Sequence, residues 1–448
     1  MSEDAAGRIR PWGANPFYWE YRGEPVLLLG GSVEDNLFQI PDVEKHLDLL
    51  ADCGGNYVRC TMSSRDQGDV WPFERAGADG PYDLEKPGAE YWGRFERFLE
   101  LTAERDIILQ IEVWDRFDYA RDPWQLNPFN PKNNVNYTTE ESGLPERIDT
   151  HPGERESCFF RSVPNLENNE LLLGYQHRHA DELLRRTLPR GNVLYCMDNE
   201  TNESPEWGAY WSAYIHAKAD EAGVEVHTTE MWDAWDLGDE QHENTWGHPE
   251  TYSFVDISQN NQKSGQEHWD NALAYRQRIV DSGAIRPVNT VKTYGCNTGH
   301  FGRSRDGIER FWRHVIVGVA AVRFHRPLSG LGLSERARRH IRSARMLSEE
   351  FDVMGAEPAN GLLVERSNNE AYCAAVPGRA CAVFFTDGGD LYLDVSASGG
   401  GGRQLSLRWL DAATSRWSEP GSATPEDGKL HLVTPREEGY WLALVRPS

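Results

Sequence analysis

Asn192-Val-Leu-Tyr-Cys-Met-Asp-Asn-Glu200 decides the architecture: a short apolar run fit for a buried strand ends abruptly in three polar residues. An apolar run of this length is what a strand covered on both faces needs, and such strands belong to parallel sheets. The same grammar recurs outward along the chain. Upstream, Ile107-Ile-Leu-Gln-Ile-Glu-Val-Trp-Asp115 repeats it; downstream, residues 225–231 run into Glu230-Met-Trp-Asp233. Eight such segments are expected as strands, at 25–33, 56–62, 107–114, 192–199, 225–231, 254–259, 286–292 and 320–325. Helical periodicity separates most of them, at 43–52, 91–105, 167–187, 206–222, 266–281 and 307–318, with a last helix at 334–350. Eight strand–helix units that close on themselves make a (β/α)8 TIM barrel. The fifth unit is irregular, because 234–252 is polar and aromatic without helical rhythm. A doubly wound sheet is excluded, since Gly30-Gly31-Ser32 is too short for a phosphate-binding turn.

After residue 355 the pattern changes to short alternating segments at 380–386, 391–395, 405–410, 429–433 and 439–445, separated by Gly, Asp, Ser and Pro. The expected fold class is therefore α/β: a (β/α)8 TIM barrel over 1–354 followed by a small antiparallel β-sandwich over 355–448. The glycine-rich run 398–403 reads as a hairpin or loop. Between the third and fourth strands, 116–165 is unusually long for a connection. Its Trp124, Phe129 and Tyr137 point to an ordered lid rather than a tail.

Bulk properties narrow the function. The chain has 448 residues and a net charge of -25, which argues against nucleic acid or an anionic membrane surface as partner. No apolar run is long enough to span a bilayer. Residues 1–15 lack an apolar signal segment, so a cytoplasmic location is expected, though a trimmed secreted or periplasmic protein would read the same. Seven unclustered cysteines (Cys53, Cys60, Cys158, Cys196, Cys296, Cys373, Cys381) read as free thiols. Oligomeric state is not legible. Sixteen tryptophans are many for this length. Indole rings suit the C–H-rich faces of sugars, and large barrels also bury aromatics simply as core.

In barrels the chemistry sits at the C-terminal strand ends. Those ends hold Asp35, Arg59, Glu112, Trp114, Asp115, Asn199, Glu200, Glu230, Trp232, Asp233, Asn260, Lys292, Tyr294, His325 and Arg326. Charges drawn from separate strands to one rim are costly unless they pair or meet a ligand. Two carboxyl groups held at different protonation states suit cleavage of a glycosidic bond: one protonates the leaving oxygen, the other attacks or activates water. Glu200 is the first choice for the acid and Glu230 for its partner, with Glu112 as competitor. Strand alternation sets Glu230 and Trp232 on one face, so acid and stacking platform could share a pocket. The remaining rim residues would bind the substrate, a poly- or oligosaccharide. Arg59, Lys292, His325 and Arg326 read equally well as charge-balancing neighbours. No cofactor or catalytic metal is expected: His227, His242 and His248 near Glu230 follow no ligand spacing.

Asn-Pro-Phe-Tyr-Trp-Glu-Tyr-Arg-Gly-Glu-Pro-Val-Leu-Leu-Leu-Gly (15–30), Gly-Gly-Asn-Tyr-Val-Arg (54–59) and Asp-Asn-Glu (198–200) resemble the cellulase-like TIM-barrel glycoside hydrolases of the large retaining clan, especially members with a collagen-binding-type C-terminal sandwich. That resemblance implies Glu200 as acid/base and Arg59 as support for a nucleophile. It also implies a nucleophilic glutamate ending strand seven, where this chain reads Arg-Pro-Val-Asn-Thr-Val-Lys-Thr-Tyr-Gly (286–295), with Val291 or Lys292 in its place. Another carboxylate in the role, an inverting reaction, or loss of hydrolysis would each follow. The alternatives to a hydrolase are a non-catalytic carbohydrate-binding barrel and a lyase or other carbohydrate-active enzyme.

Overall fold

The computed structural model describes residues 7–155, 157–299, 301–396 and 404–448. The expected loop at 398–403 lies outside the described residues, as do the first six residues of the N-terminal segment. All eight expected barrel strands form: β1 Leu28–Gly31, β2 Tyr57–Thr61, β3 Ile108–Trp114, β4 Val193–Asp198, β5 Thr228–Thr229, β6 Val255–Asp256, β7 Val288–Thr293 and β8 Ala321–Phe324. They hydrogen-bond in the order β5-β4-β3-β2-β1-β8-β7-β6, all parallel. At the one seam without a ladder among the described residues, side chains take over. The Thr228 amide donates to Ser253 Oγ at 3.1 Å, and the Thr228 hydroxyl donates to the Thr251 carbonyl at 2.9 Å.

Seven helices wrap the barrel: α1 Val43–Asp52, α2 Ala89–Glu104, α3 Glu170–Thr187, α4 Pro205–Ala222, α5 Gly265–Asp281, α6 Ser304–Val317 and α7 Glu335–Glu350. Their ends follow local chemistry. Asn169 and Ser334 accept amides of the first turns of α3 and α7, and α4 opens on a proline and closes on left-handed Gly223. The irregular fifth unit forms only two short helical turns, Glu240–His242 and Glu243–Trp246.

One expected strand divides. Within 25–33, Glu24–Val26 belongs to an N-terminal antiparallel sheet with Arg10–Pro11 and Trp19–Tyr21, and only Leu28–Gly31 enters the barrel. Arg22 (φ 53°) and Gly23 (φ 81°) make the two-residue hairpin turn between Tyr21 and Glu24, since positive φ at both positions matches strand twist. This sheet delivers Trp19 to the barrel floor, where its indole donates to Asn289 Oδ1 at 2.9 Å and packs edge-on against Phe254.

The described residues of the insertion after β3 are packed into the fold. Trp124, Phe129 and Tyr137 are buried within it, and asparagine side chains replace the missing ladder: Asn130 Nδ2 donates to the Trp124 and Glu146 carbonyls at 3.0 and 2.9 Å.

The C-terminal sandwich contains β9 Ala371–Val376, β10 Ala380–Phe385, β11 Asp390–Asp394, β12 Leu405–Asp411, β13 Lys429–Val433 and β14 Trp441–Pro447. One sheet runs β9-β10-β14-β12 with short edge strands; the other pairs β11 with β13 and Leu363–Val364. Cys373, Val383, Phe385, Leu391 and Leu432 fill the space between them. The opposite face of the larger sheet packs on the barrel, with Phe384 stacked on Trp312 of α6 at 5.4 Å. Strand β9 escapes the period-two reading because both its faces are buried, so its residues do not alternate in polarity.

Candidate active site

A cavity of about 360 Å³ opens at the C-terminal ends of the barrel strands. Of the expected site residues, Asp35, Arg59, Asn199, Glu200, Asp233, Lys292, Tyr294, His325 and Arg326 line it. A larger hollow of about 710 Å³ lies beside it, lined by Glu34, Asp66 and Asp69 among others, but no barrel-strand residue reaches that one.

Beneath the cavity, charge is balanced tightly. Arg59 is fully buried and donates to Asp35 Oδ1 at 2.5 Å, to both Glu112 oxygens at 2.6 Å and to Asn199 Oδ1 at 2.8 Å. Burial pushes the Asp35 carboxyl up, but Arg59, His325 and Arg326 together hold it well below the ordinary aspartate range. Asp115 lies just behind, accepting from Asn199 Nδ2 at 3.0 Å and from Arg65 at 2.5 Å. Asn199 is thus held by three neighbours, the third being Lys292 Nζ at 2.7 Å.

Glu200 follows β4 with φ +56°, a left-handed conformation unusual for a side-chain-bearing residue and common at functional sites. Its Oε1 accepts from Lys292 Nζ and, at 3.2 Å, from the Tyr294 hydroxyl. Burial would raise this carboxyl. The Lys292 charge, its hydrogen bond and the Arg59 charge outweigh burial, so it titrates below the ordinary glutamate range. Lys292 therefore stands where a strand-seven acid was expected, as the counter-ion of the strand-four glutamate.

Asp233 faces the same space in the opposite condition. Burial and the nearby Glu200 charge push its carboxyl up to about 6, against the pull of Lys292 and Arg116. A backbone clamp sets the two acids side by side: the Thr201 amide donates to the Met231 carbonyl and the Asp233 amide to the Thr201 carbonyl, both at 2.8 Å. A carboxyl pair split in this way offers a proton donor and a proton acceptor at one pH.

Six expected site residues do not line the cavity: Glu230, Trp232, Trp114 and Asn260, which lie in its walls, and Glu112 and Asp115, which lie beneath it. Glu230 points outward to α4: a Cβ built on Gly208 would lie 2.3 Å from its Oε2, and its Oε1 accepts the Asp198 and Met231 amides at 2.9 Å. Burial and the Asp198 charge raise its carboxyl well above the ordinary range. Trp232 follows it outward and donates to Thr245 Oγ1 at 2.8 Å. Trp114 packs among Trp211 and Phe159, at 5.0 and 5.5 Å. Asn260 donates to the His268 carbonyl at 2.9 Å inside the wall. Alternation was read correctly as placing Glu230 and Trp232 together, but on the helix-facing side. In a parallel barrel both strand faces are buried, and polarity does not mark the inner one. Glu112 faces inward yet serves Arg59, and Asp115 serves Asn199 and Arg65.

Of the three histidines, His227 lies at the barrel floor beside Trp19, His242 bonds the Ala234 carbonyl, and His248 pairs with Glu250. Among the described residues no group of three or more His, Cys, Asp or Glu side chains is arranged to hold a metal ion. Among the described residues no disulfide forms. No described helix is long and apolar enough to cross a membrane.

Sequence reasoning missed Phe117, His151, Trp235, Phe301 and Leu328, all of which line the cavity. Most lie beyond the strand ends, in loops whose direction only the fold sets. The tryptophan in this lining is Trp235, 61% exposed, whereas Trp232 three residues earlier is buried.

No protein-family model matches the chain, and no curated protein sequence does. Solved structures share its fold. A family 5 glycoside hydrolase from Bacteroides vulgatus superposes with a TM-score of 0.65 at 12% identity, covering 99% of this chain and 93% of that one. Another glycoside hydrolase gives 0.63 at 9% identity, over 99% and 97% of the two chains. A family 5 mannosidase from Rhizomucor miehei, an alanine variant solved with mannosyl-fructose, gives 0.52 at 10% identity over 78% of this chain and 99% of its own. At such identities what is shared is the barrel architecture.

Proposed function

We propose that this protein is a glycoside hydrolase that cleaves O-glycosidic bonds in a poly- or oligosaccharide, with Glu200 and Asp233 as its two working carboxyl groups. One observation carries the reading: both acids border one cavity, and their surroundings drive their protonation states apart. Asp233, protonated on the acid side of pH 6, gives its proton to the leaving oxygen. Glu200, ionised against Lys292, takes the proton of the water that attacks the anomeric carbon. Each carboxyl then exchanges its proton with solvent and the cycle closes. Glu200 keeps the proton-transfer role expected from the sequence, but as base, because a glutamate held ionised by a lysine is a poor donor. Asn199, Tyr294, His325 and the Arg59 cluster orient the sugar. The family 5 hydrolases that share the fold support the reaction class.

The test is hydrolysis across a panel of oligosaccharides by the parent chain and by Glu200→Gln and Asp233→Asn. Each substitution removes one proton-transfer group without changing shape, so a loss of about 10²–10⁴ in kcat is expected with the circular dichroism spectrum unchanged. Full activity in either variant overturns that residue's assignment. The Glu200–Lys292 ion pair also favours a second reading, a barrel that binds carbohydrate without cleaving it. Calorimetric sugar binding with no new reducing ends would establish that one instead.

A further inference from the structure

We infer that the substrate's leaving group is apolar: an alkyl or aryl aglycone carried on a sugar that occupies the charged floor. This rests on the hydrolase reading for the reaction and narrows its substrate, setting an apolar aglycone where a poly- or oligosaccharide would present a second sugar. The cavity lining combines two chemistries. At the floor, Asp35, Arg59, Asn199, Glu200, Lys292 and His325 present donors and acceptors suited to sugar hydroxyls. From the surrounding loops come four apolar side chains, Phe117 after β3, Trp235 after β5, Phe301 after β7 and Leu328 after β8, set among Arg65, His151 and Gln262.

Three of these are exposed to an extent unusual for their size: Leu328 by 64%, Trp235 by 61% and Phe301 by 37%. Single exposed apolar side chains are ordinary, but here they come from separate loops to ring one opening. Leu328 decides between a second sugar and an apolar group. It offers neither a ring face for stacking on a pyranose nor a hydrogen-bond donor, and its burial is gained only against another apolar surface. The mouth also adjoins the chemistry. Phe301 stacks on Tyr294 at 4.6 Å and 20°, and the Tyr294 hydroxyl donates to Glu200. At about 360 Å³ the cavity is near the small end of small-molecule sites, so whatever extends from a sugar on the floor must cross this ring.

The experiment uses the full chain and matched methyl and octyl glycosides of several hexoses and an N-acetylhexosamine. All are held below the critical micelle concentration of the octyl compound. For the sugar the floor accepts, kcat/KM for the octyl glycoside should exceed that for the methyl glycoside at least about tenfold, because several methylenes leave water at the mouth. In Leu328→Ser combined with Trp235→Ser the octyl-to-methyl ratio should collapse towards one. Val433→Ser, at an exposed apolar site in the sandwich, should leave the ratio unchanged. A ratio near one in the parent, alongside oligosaccharide hydrolysis, overturns this inference and leaves the hydrolase reading standing. If nothing is hydrolysed, binding by calorimetry decides. Tighter octyl binding that the double variant loses keeps the apolar mouth and removes the reaction; equal binding removes both.

Discussion

Glu200 shows how a single residue can be legible in sequence while its protonation state is not. The Asp-Asn-Glu end of β4 marks it as a rim carboxyl, but Lys292, 92 positions away, determines that it is ionised. The sign of that linkage is definite. A carboxyl whose folded titration lies below its ordinary value contributes stability that is present above that value and lost as pH falls through the depressed one. Lys292→Met keeps the bulk and deletes the charge, so only the Arg59 charge then opposes burial at Glu200 and its titration moves up. The acidic limb of the kcat/KM profile should rise with it, and at neutral pH the fold should lose about 3 kcal/mol in urea unfolding, the order of cost for stranding a buried carboxylate. Asp233 sets the opposite limb. As the donor it must be protonated, and with titration near pH 6 the parent's activity should fall about tenfold per pH unit above that point. Asp233→Asn should abolish this limb along with most turnover. A basic limb surviving in that variant would mean another group gives the proton.

At the scale of elements, strands and helices were largely visible because each is a local pattern: an apolar run between turn formers, or a 3.6-residue rhythm between caps. The expected helix 43–52 and the observed Val43–Asp52 coincide for this reason. Faces were not visible. Thr228 on β5 and Glu230 just past it both face α4, where Thr228 meets Ser212 at 2.9 Å, whereas Asp233 further on turns back to the cavity. The same short strand explains the open seam, since two ladder residues in β5 and two in β6 leave closure to side chains. Ser253→Ala removes the acceptor of the Thr228 amide and the partner of His227 Nδ1, and should destabilise the fold by about 1–2 kcal/mol in urea titration. An unchanged midpoint would show that the Ser253 bridge is not what holds the seam.

Over the whole molecule, the net charge of -25 makes the folded chain repel itself. Raising salt shortens the screening length from about 30 Å at 0.01 M to about 3 Å at 1 M. The melting temperature should therefore climb by several degrees across that range, as differential scanning calorimetry would record; a flat or falling trend would show that the surface ion pairs outweigh the repulsion. The two lobes are also joined at this scale. The face of the sandwich that carries Tyr372 and Phe384 is covered by Trp269 and Trp312 of the barrel, so the apolar alternation that builds the sandwich also docks it.

Taken alone, the amino-acid sequence determined the barrel, the sandwich after it, and the ring of strand ends at which polar groups gather, because periodicity and strand termination are properties of neighbours along the chain. Tertiary structure alone decided that Glu200 meets Lys292, that Asp233 rather than Glu230 shares its cavity, and that Trp235 and Leu328 stand at the mouth. Those outcomes depend on which face of a doubly covered strand turns inward and on charges far apart in sequence, and both arise only when the barrel closes.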